Sequence, residues 1–93
     1  MRVRWLRRAL RNLESIYEYM EKDNPEAAQK VIMKIRVGVN KLADFPLMGR
    51  LGRVESTREL VIGNTPYIVI YRVKSNAVEI LRVLHSARQF PES

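Results

Sequence analysis

The sequence predicts an α+β domain: an N-terminal helical hairpin packed on a twisted, mainly antiparallel sheet of three to four strands, in the order β-α-α-β-β-β. Three observations predict it. Between residues 6 and 42 apolar residues recur at three- and four-residue steps, the spacing of a helix face, with one break at Asp23-Asn24-Pro25. Residues 67–73 and 77–84 are two runs rich in valine, isoleucine and tyrosine, whose β-branched or aromatic side chains suit a pleated surface. Lys74-Ser75-Asn76 between them is a polar turn of the length that joins antiparallel strands. Helices that follow one another before a run of strands must bury their stripes on one sheet face. A chain of 93 residues has room for one such domain, residues 1–93, and a modest core.

Met1-Arg2-Val3-Arg4-Trp5 alternates polar and apolar, which predicts a short strand with Val3 and Trp5 on one face. If it joins the same sheet it lies parallel to its neighbour at an edge, because the helical pair carries the chain across. From Leu6 the period changes. Leu6, Ala9, Leu10, Leu13, Ile16, Tyr17 and Met20 mark a helix of about four turns. Its charges run from Arg7, Arg8 and Arg11 to Glu14, Glu18 and Glu21, against a macrodipole worth a few tenths to ~1 kcal/mol per charge. This basic end is therefore read as placed for a partner. Asn24 is the N-cap of the second helix and Pro25 its first residue, where the missing N–H costs nothing. The stripe Ala28, Val31, Ile32, Ile35, Val39 and Leu42 follows, and the short link at Lys22-Asp23-Asn24 makes the helices antiparallel neighbours. Gly38 costs up to ~1 kcal/mol relative to alanine unless a close contact uses the missing side chain.

Residues 44–57 read as the one long irregular segment, with Phe45-Pro46 ending the second helix. Gly49 and Gly52 bracket Arg50, with Arg53 just beyond, so the backbone can approach an anion while guanidinium groups flank it. The pattern is not a P-loop, and a surface loop with solvated arginines is the alternative reading. Arg58-Glu59-Leu60-Val61-Ile62 predicts a strand and Gly63-Asn64-Thr65-Pro66 a turn. In the following run Tyr67, Val69, Tyr71 and Val73 face one way and Ile68, Ile70 and Arg72 the other, so the strand is central. The tail 86–93 lacks periodicity, with Phe90 expected to pack back on the sheet.

Seventeen basic residues against ten acidic ones leave a net charge of +7, which points to an acidic partner, whether nucleic acid, an acidic protein segment or an anionic membrane surface, the alternative being an inert, solvated basic surface. The absence of cysteine excludes disulfides, thiol catalysis and cysteine-ligated zinc, and a single histidine excludes an intrachain His-based metal site. No metal or cofactor is expected. The apolar runs are too short to span a bilayer and the arginine-rich start lacks a secretory core, so the expected compartment is the cytoplasm. His85 ends the last run with Arg82 and Arg88 beside it. It is the candidate centre of chemistry, the alternative being a strand-end histidine bonded to backbone. Tyr67, Tyr71 and Trp5 read as core.

The order Arg4-Trp5, Asn24-Pro25-Glu26-Ala27-Ala28, Phe45-Pro46 with Gly49-Arg50, Arg58-Glu59-Leu60, Tyr67-Ile68-Val69-Ile70-Tyr71-Arg72 and Ile80-Leu81-Arg82-Val83-Leu84-His85 resembles the RelE/ParE superfamily of small toxins from type II toxin–antitoxin modules. The resemblance spans nearly the whole chain. It implies a helical hairpin on a mainly antiparallel sheet, and a cognate acidic antitoxin that wraps and silences the toxin. It also implies one of two targets, DNA gyrase or messenger RNA on the ribosome. The family's nucleases place an arginine where Ile68 stands here, and an isoleucine cannot stabilise a phosphorane, so the gyrase-directed branch is expected. Under the nuclease alternative the catalytic candidates are His85, Arg82 and Glu55. Arg50, Arg53, Arg72 and Arg88 are candidates for phosphate or partner binding, and Arg4, Arg7, Arg8 and Arg11 for the antitoxin. A non-toxic nucleic-acid-binding module is a third reading, but the chain lacks the stacked aromatics of an RNA-recognition sheet.

Overall fold

The computed structural model describes residues 1–88, 90 and 91. Its elements are β1 (Arg2–Trp5), α1 (Arg7–Glu21), α2 (Pro25–Lys41), β2 (Arg50–Leu51), β3 (Arg58–Val61), β4 (Tyr67–Lys74) and β5 (Ala77–His85). The sheet order is β1-β5-β4-β3-β2. β1 joins β5 in parallel at the edge, and the other pairings are antiparallel. The sheet thus has five strands where the sequence predicts three to four. The extra one, β2, only pairs Arg50 with Glu59 and Leu51 with Arg58. Two residues are too few for alternation to show in a sequence.

Asn24 caps α2, its Oδ1 accepting the Ala27 N–H at 3.1 Å, with Pro25 at the first helical position. The helix stops at Lys41, a turn before Phe45-Pro46, and the Phe45 N–H closes onto the Lys41 carbonyl at 2.9 Å. Proline therefore ends a turn, while Leu42 ends the helix. In the central hairpin Ser75 and Asn76 have φ of 52° and 58°, the paired left-handed conformations of a two-residue turn that suits twisted strands.

One side of the sheet carries the main core, where Leu13, Ile35, Val39 and Leu42 from the helical layer meet Val69, Tyr71, Val78, Ile80 and Val83. Ile68, Ile70 and Leu84 form a smaller cluster on the other side, with Leu81 and Phe90 against it. The expected alternation along β4 is what separates the two. A bulge in β5 sets Tyr71 opposite Ile80 and Ile70 opposite Arg82, leaving Leu81 without a direct partner.

Gly38 uses its missing side chain. A Cβ there would lie 2.7 Å from Ile62 Cδ1, so glycine lets α2 sit against the residue that follows β3. Gly49 is likewise a packing residue, its would-be Cβ 2.7 Å from the Tyr71 ring and 2.9 Å from the Glu59 carbonyl. Tyr71 Oη accepts the Gly49 N–H and donates to the Pro46 carbonyl, both at 2.8 Å, and Arg58 Nη1 donates to the Gly49 carbonyl at 2.8 Å. Burial holds the Tyr71 hydroxyl above its usual pKa, against the opposing effects of the Gly49 N–H and the Arg58 charge. The segment from Pro46 to Gly49 is thereby fastened to the sheet.

Candidate functional site

β1 pairs with β5 only as far as Ile80, and the Leu6 N–H closes on the Ile80 carbonyl at 3.0 Å. β5 runs on to His85. Along this stretch α1 replaces the missing strand, with Asn12 Oδ1 accepting from Arg82 Nε at 2.8 Å and from the Val83 N–H at 3.1 Å. Between α1 and the ends of β4 and β5 lies a cleft of about 370 Å³ lined by Asn12, Ser15, Tyr19, Tyr67, His85 and Arg88.

His85 is exposed at the mouth of this cleft. Its ring meets that of Tyr67 edge-on, with centroids 5.8 Å apart and planes at 79°. Its Nδ1 accepts the Ala87 N–H at 3.1 Å, which leaves Nε2 as the nitrogen available to a ligand. Burial, with Tyr19 adding to it, raises the Tyr67 hydroxyl above the usual tyrosine pKa. That hydroxyl is a hydrogen-bond donor at neutral pH and no base.

Two of the other predicted residues adjoin this cleft, and the rest lie elsewhere. Arg88 shares the cleft with His85, and Arg82 is drawn to Asn12 on its wall. Glu55 and Arg53 are exposed in the turn before β3. His85 opposes Tyr67 at the start of β4, whereas Arg58, the first residue of β3, opposes Tyr71, four residues or about 13 Å further along. Glu55 lies beyond Arg58, so it and His85 sit toward opposite ends of the sheet. Arg50 pairs with Glu59 through Nε at 3.1 Å and Nη2 at 3.0 Å. Arg72 Nε and Arg4 Nη1 hold the two oxygens of Glu79 at 2.7 and 3.2 Å. Arg7, Arg8 and Arg11 are exposed on α1.

Asn12, Ser15, Tyr19 and Glu79 are the residues that sequence reasoning passed over. The first three recur at three- and four-residue steps on α1 beside its apolar stripe, a polar face that periodicity alone assigns to solvent.

A second feature lies on the far side of the helical layer. Met33 and Val37 of α2, Met48, and Val61 at the edge of β3 line an apolar groove of about 440 Å³, with Lys34 and Lys41 on its rim. Phe45 and Leu47 are exposed nearby at 63% and 64%. Among the described residues no group of three His, Asp or Glu side chains converges as a metal site, and no helix is long and apolar enough to cross a membrane.

This layered fold, with an arginine-rich helix start and a histidine closing the last strand, defines the class of small toxins that the sequence resembles. The family described as "ParE toxin of type II toxin-antitoxin system, parDE" matches residues 3–90. The chain is 50% identical over 91 residues to "Putative toxin Y4kP" of Sinorhizobium fredii, covering 98% of this chain and 94% of that protein. It is 37% identical over 86 residues to "Toxin RelE2" of Caulobacter vibrioides, covering 92% and 96%. A solved structure titled "Chromosomal ParDE TA system from P. aeruginosa" superposes with a TM-score of 0.82 at 31% identity, covering 91% and 95%. The chain belongs to the ParE toxin family of type II toxin–antitoxin systems.

Proposed function

We propose that this toxin arrests growth by binding DNA gyrase, and that an acidic antitoxin silences it. The observation that carries the choice of target is the sheet face away from the helices. At its centre stand Ile68, Ile70 and Leu84, packed under Leu81 and Phe90, where a nuclease of this size needs cations around a phosphate. Metal-free RNA cleavage also requires a base and an acid within reach of one phosphodiester. His85 is turned toward the α1 side and Glu55 lies toward the opposite end of the sheet. A toxin without converging proton carriers acts by contact, which favours an enzyme such as gyrase as its target.

The name of the Caulobacter relative favours a second reading, ribosome-dependent cleavage of messenger RNA, with His85 as acid or base. Primer extension on cellular messenger RNA after induction, beside a supercoiling assay with purified gyrase, separates the two. Inhibited supercoiling with intact transcripts is the expected result. Codon-phased cuts with normal supercoiling would replace it, and His85→Ala would then lower the cleavage rate ~10²–10⁴-fold.

For the antitoxin, the groove between α2 and β3 is the docking surface that the chemistry supports. Ile62 N–H bonds back to Tyr67. By alternation the N–H and C=O of Val61 point outward, past the last β2 pairing at Glu59. An extended segment can add a strand there, set apolar side chains against Met33, Val37 and Met48, and meet Lys34 and Lys41 with acidic ones.

A further inference from the structure

Val3 and Trp5 pack on the helix-side core, so alternation turns Arg2 and Arg4 to the opposite face of β1. Ile68 and Ile70 lie on that same opposite face of β4, so Arg72 and Lys74, at even steps beyond them, share it. Register then sets two rows across three strands: Arg4, Glu79, Arg72 in one and Arg2, Ala77, Lys74 in the other. Four cations surround one carboxylate. Glu79 is buried, and both its oxygens are occupied by the two arginines. A hydrogen bond from Arg72, together with the charges of Arg72, Arg4 and Lys74, holds its carboxyl below the usual range against the cost of burial.

Glu79 thereby orients two guanidinium groups without neutralising the patch. Arg4 uses Nη1 and Arg72 uses Nε on the carboxylate, and the side chains remain 53% and 37% exposed. Each guanidinium has further N–H groups for a second acceptor. The rows are about 7 Å apart along the strands, and β1 and β4 about 10 Å apart across β5. Four cations clustered this closely suit a polyanion such as nucleic acid, whose condensed counterions are released when Lys and Arg neutralise its phosphates. Ala77 is the one apolar side chain in the two rows, so the patch lacks the buried anchors on which a protein segment depends.

We propose that Arg2, Arg4, Arg72 and Lys74 form a binding site for the phosphodiester backbone of nucleic acid at the hairpin end of the sheet. The site is independent of the choice between gyrase and ribosome, and it lies apart from both the His85 cleft and the α2 groove.

The test is fluorescence anisotropy with the full chain and short labelled duplex DNA or single-stranded RNA across a salt series. The parent is expected to bind with a steep loss of affinity as salt rises. The variant Arg2→Gln/Arg4→Gln/Lys74→Gln, which leaves the Arg72–Glu79 pair intact, should bind more than tenfold more weakly, with a log–log salt slope shallower by ~2–3. Lys22→Gln/Lys30→Gln/Arg36→Gln removes the same charge from the helical layer and should bind as the parent does. Selective loss on DNA alone or RNA alone supports the site and identifies the source of the phosphates. Absence of binding to either, or equal losses in the two variants, overturns it. Should the first variant fail to fold by circular dichroism, Arg2→Gln/Lys74→Gln, which touches no ion pair among the described residues, decides by the same comparison.

Discussion

Asn12 Oδ1 holds Arg82 Nε at 2.8 Å and the neighbouring Val83 N–H at 3.1 Å, so one amide oxygen of α1 closes the strand edge that β1 leaves open. Val83 is buried, and its N–H loses its protein partner if Asn12 is removed. Asn12→Ala should therefore cost ~1–3 kcal/mol, the usual penalty of an orphaned buried donor. Asn12→Asp keeps the acceptor and adds charge toward Arg82, and should retain most of the stability. Urea unfolding of the three proteins checks this, and equal midpoints for Asn12→Ala and the parent would mean that the edge is closed by other means.

Tyr71 makes a comparable joint between β4 and the segment from Pro46 to Gly49. Replacing its hydroxyl in Tyr71→Phe preserves the ring in the core but leaves the buried Gly49 N–H and the Pro46 carbonyl without this partner. A loss of ~1–3 kcal/mol is expected, together with faster hydrogen exchange at Gly49 while β5 amides keep their order of protection. Exchange that accelerates uniformly would show the hydroxyl acting on the whole fold and not on the segment.

Gly38 and Ile62 predict a coupling whose sign depends on the partner. Alanine in a helix interior gains up to ~1 kcal/mol over glycine, but here its Cβ meets Ile62 Cδ1 at 2.7 Å. Gly38→Ala should be neutral or destabilising in the parent and stabilising in an Ile62→Val background, which lacks that methyl group. Thermal melts of the four proteins form a double-mutant cycle. Additive effects would show that Ile62 swings aside without cost.

The pairing of Glu79 with Arg72 and Arg4 makes stability depend on pH. A carboxyl held below its usual range in the folded chain contributes stability that is present above the unfolded-state pKa, and that is lost as pH falls through the lower folded value. Glu79→Gln should thus be less stable than the parent at neutral pH, with the difference shrinking in acid below the ordinary carboxylate range. A difference that is constant between pH 7 and pH 3 would mean that the role of Glu79 is steric.

What was legible in the sequence follows from period and punctuation. The helix-face spacing, Asn24-Pro25 and the β-branched runs yield the element order, the parallel edge strand and the two-sided character of β4. Phe90, the one large apolar residue of the tail, packs back on the sheet as expected. β2 escaped because its pairing is tertiary, and the Lys41 stop escaped because Leu42 continues the apolar stripe beyond the helix. At the sites, spacing shows which side chains share an element but not which elements meet. It places His85, Arg82 and Arg88 near one strand end, yet does not show that Asn12 and Tyr19 from α1 close the same cleft, or that Arg72 and Arg4 share Glu79. Arg50 and its flanking glycines looked like an anion cradle because glycine freedom and glycine packing leave the same letter in a sequence.

The apolar groove gives the last prediction. Met33 and Val37 are exposed at 61% and 47%, so Met33→Glu and Val37→Asp alter the groove surface without placing charge in the core. Each removes an apolar anchor and opposes an acidic segment held by Lys34 and Lys41, so the combined loss at the antitoxin interface should exceed tenfold in Kd. Toxicity should persist, because neither residue lies near His85 or on the Ile68 face. Co-expression with the cognate antitoxin reads both effects at once: cells carrying the double variant are expected to arrest where cells carrying the parent toxin grow. Full neutralisation of the double variant at the parent's antitoxin dose would move the docking surface elsewhere, with Arg7, Arg8 and Arg11 on α1 the next residues to change.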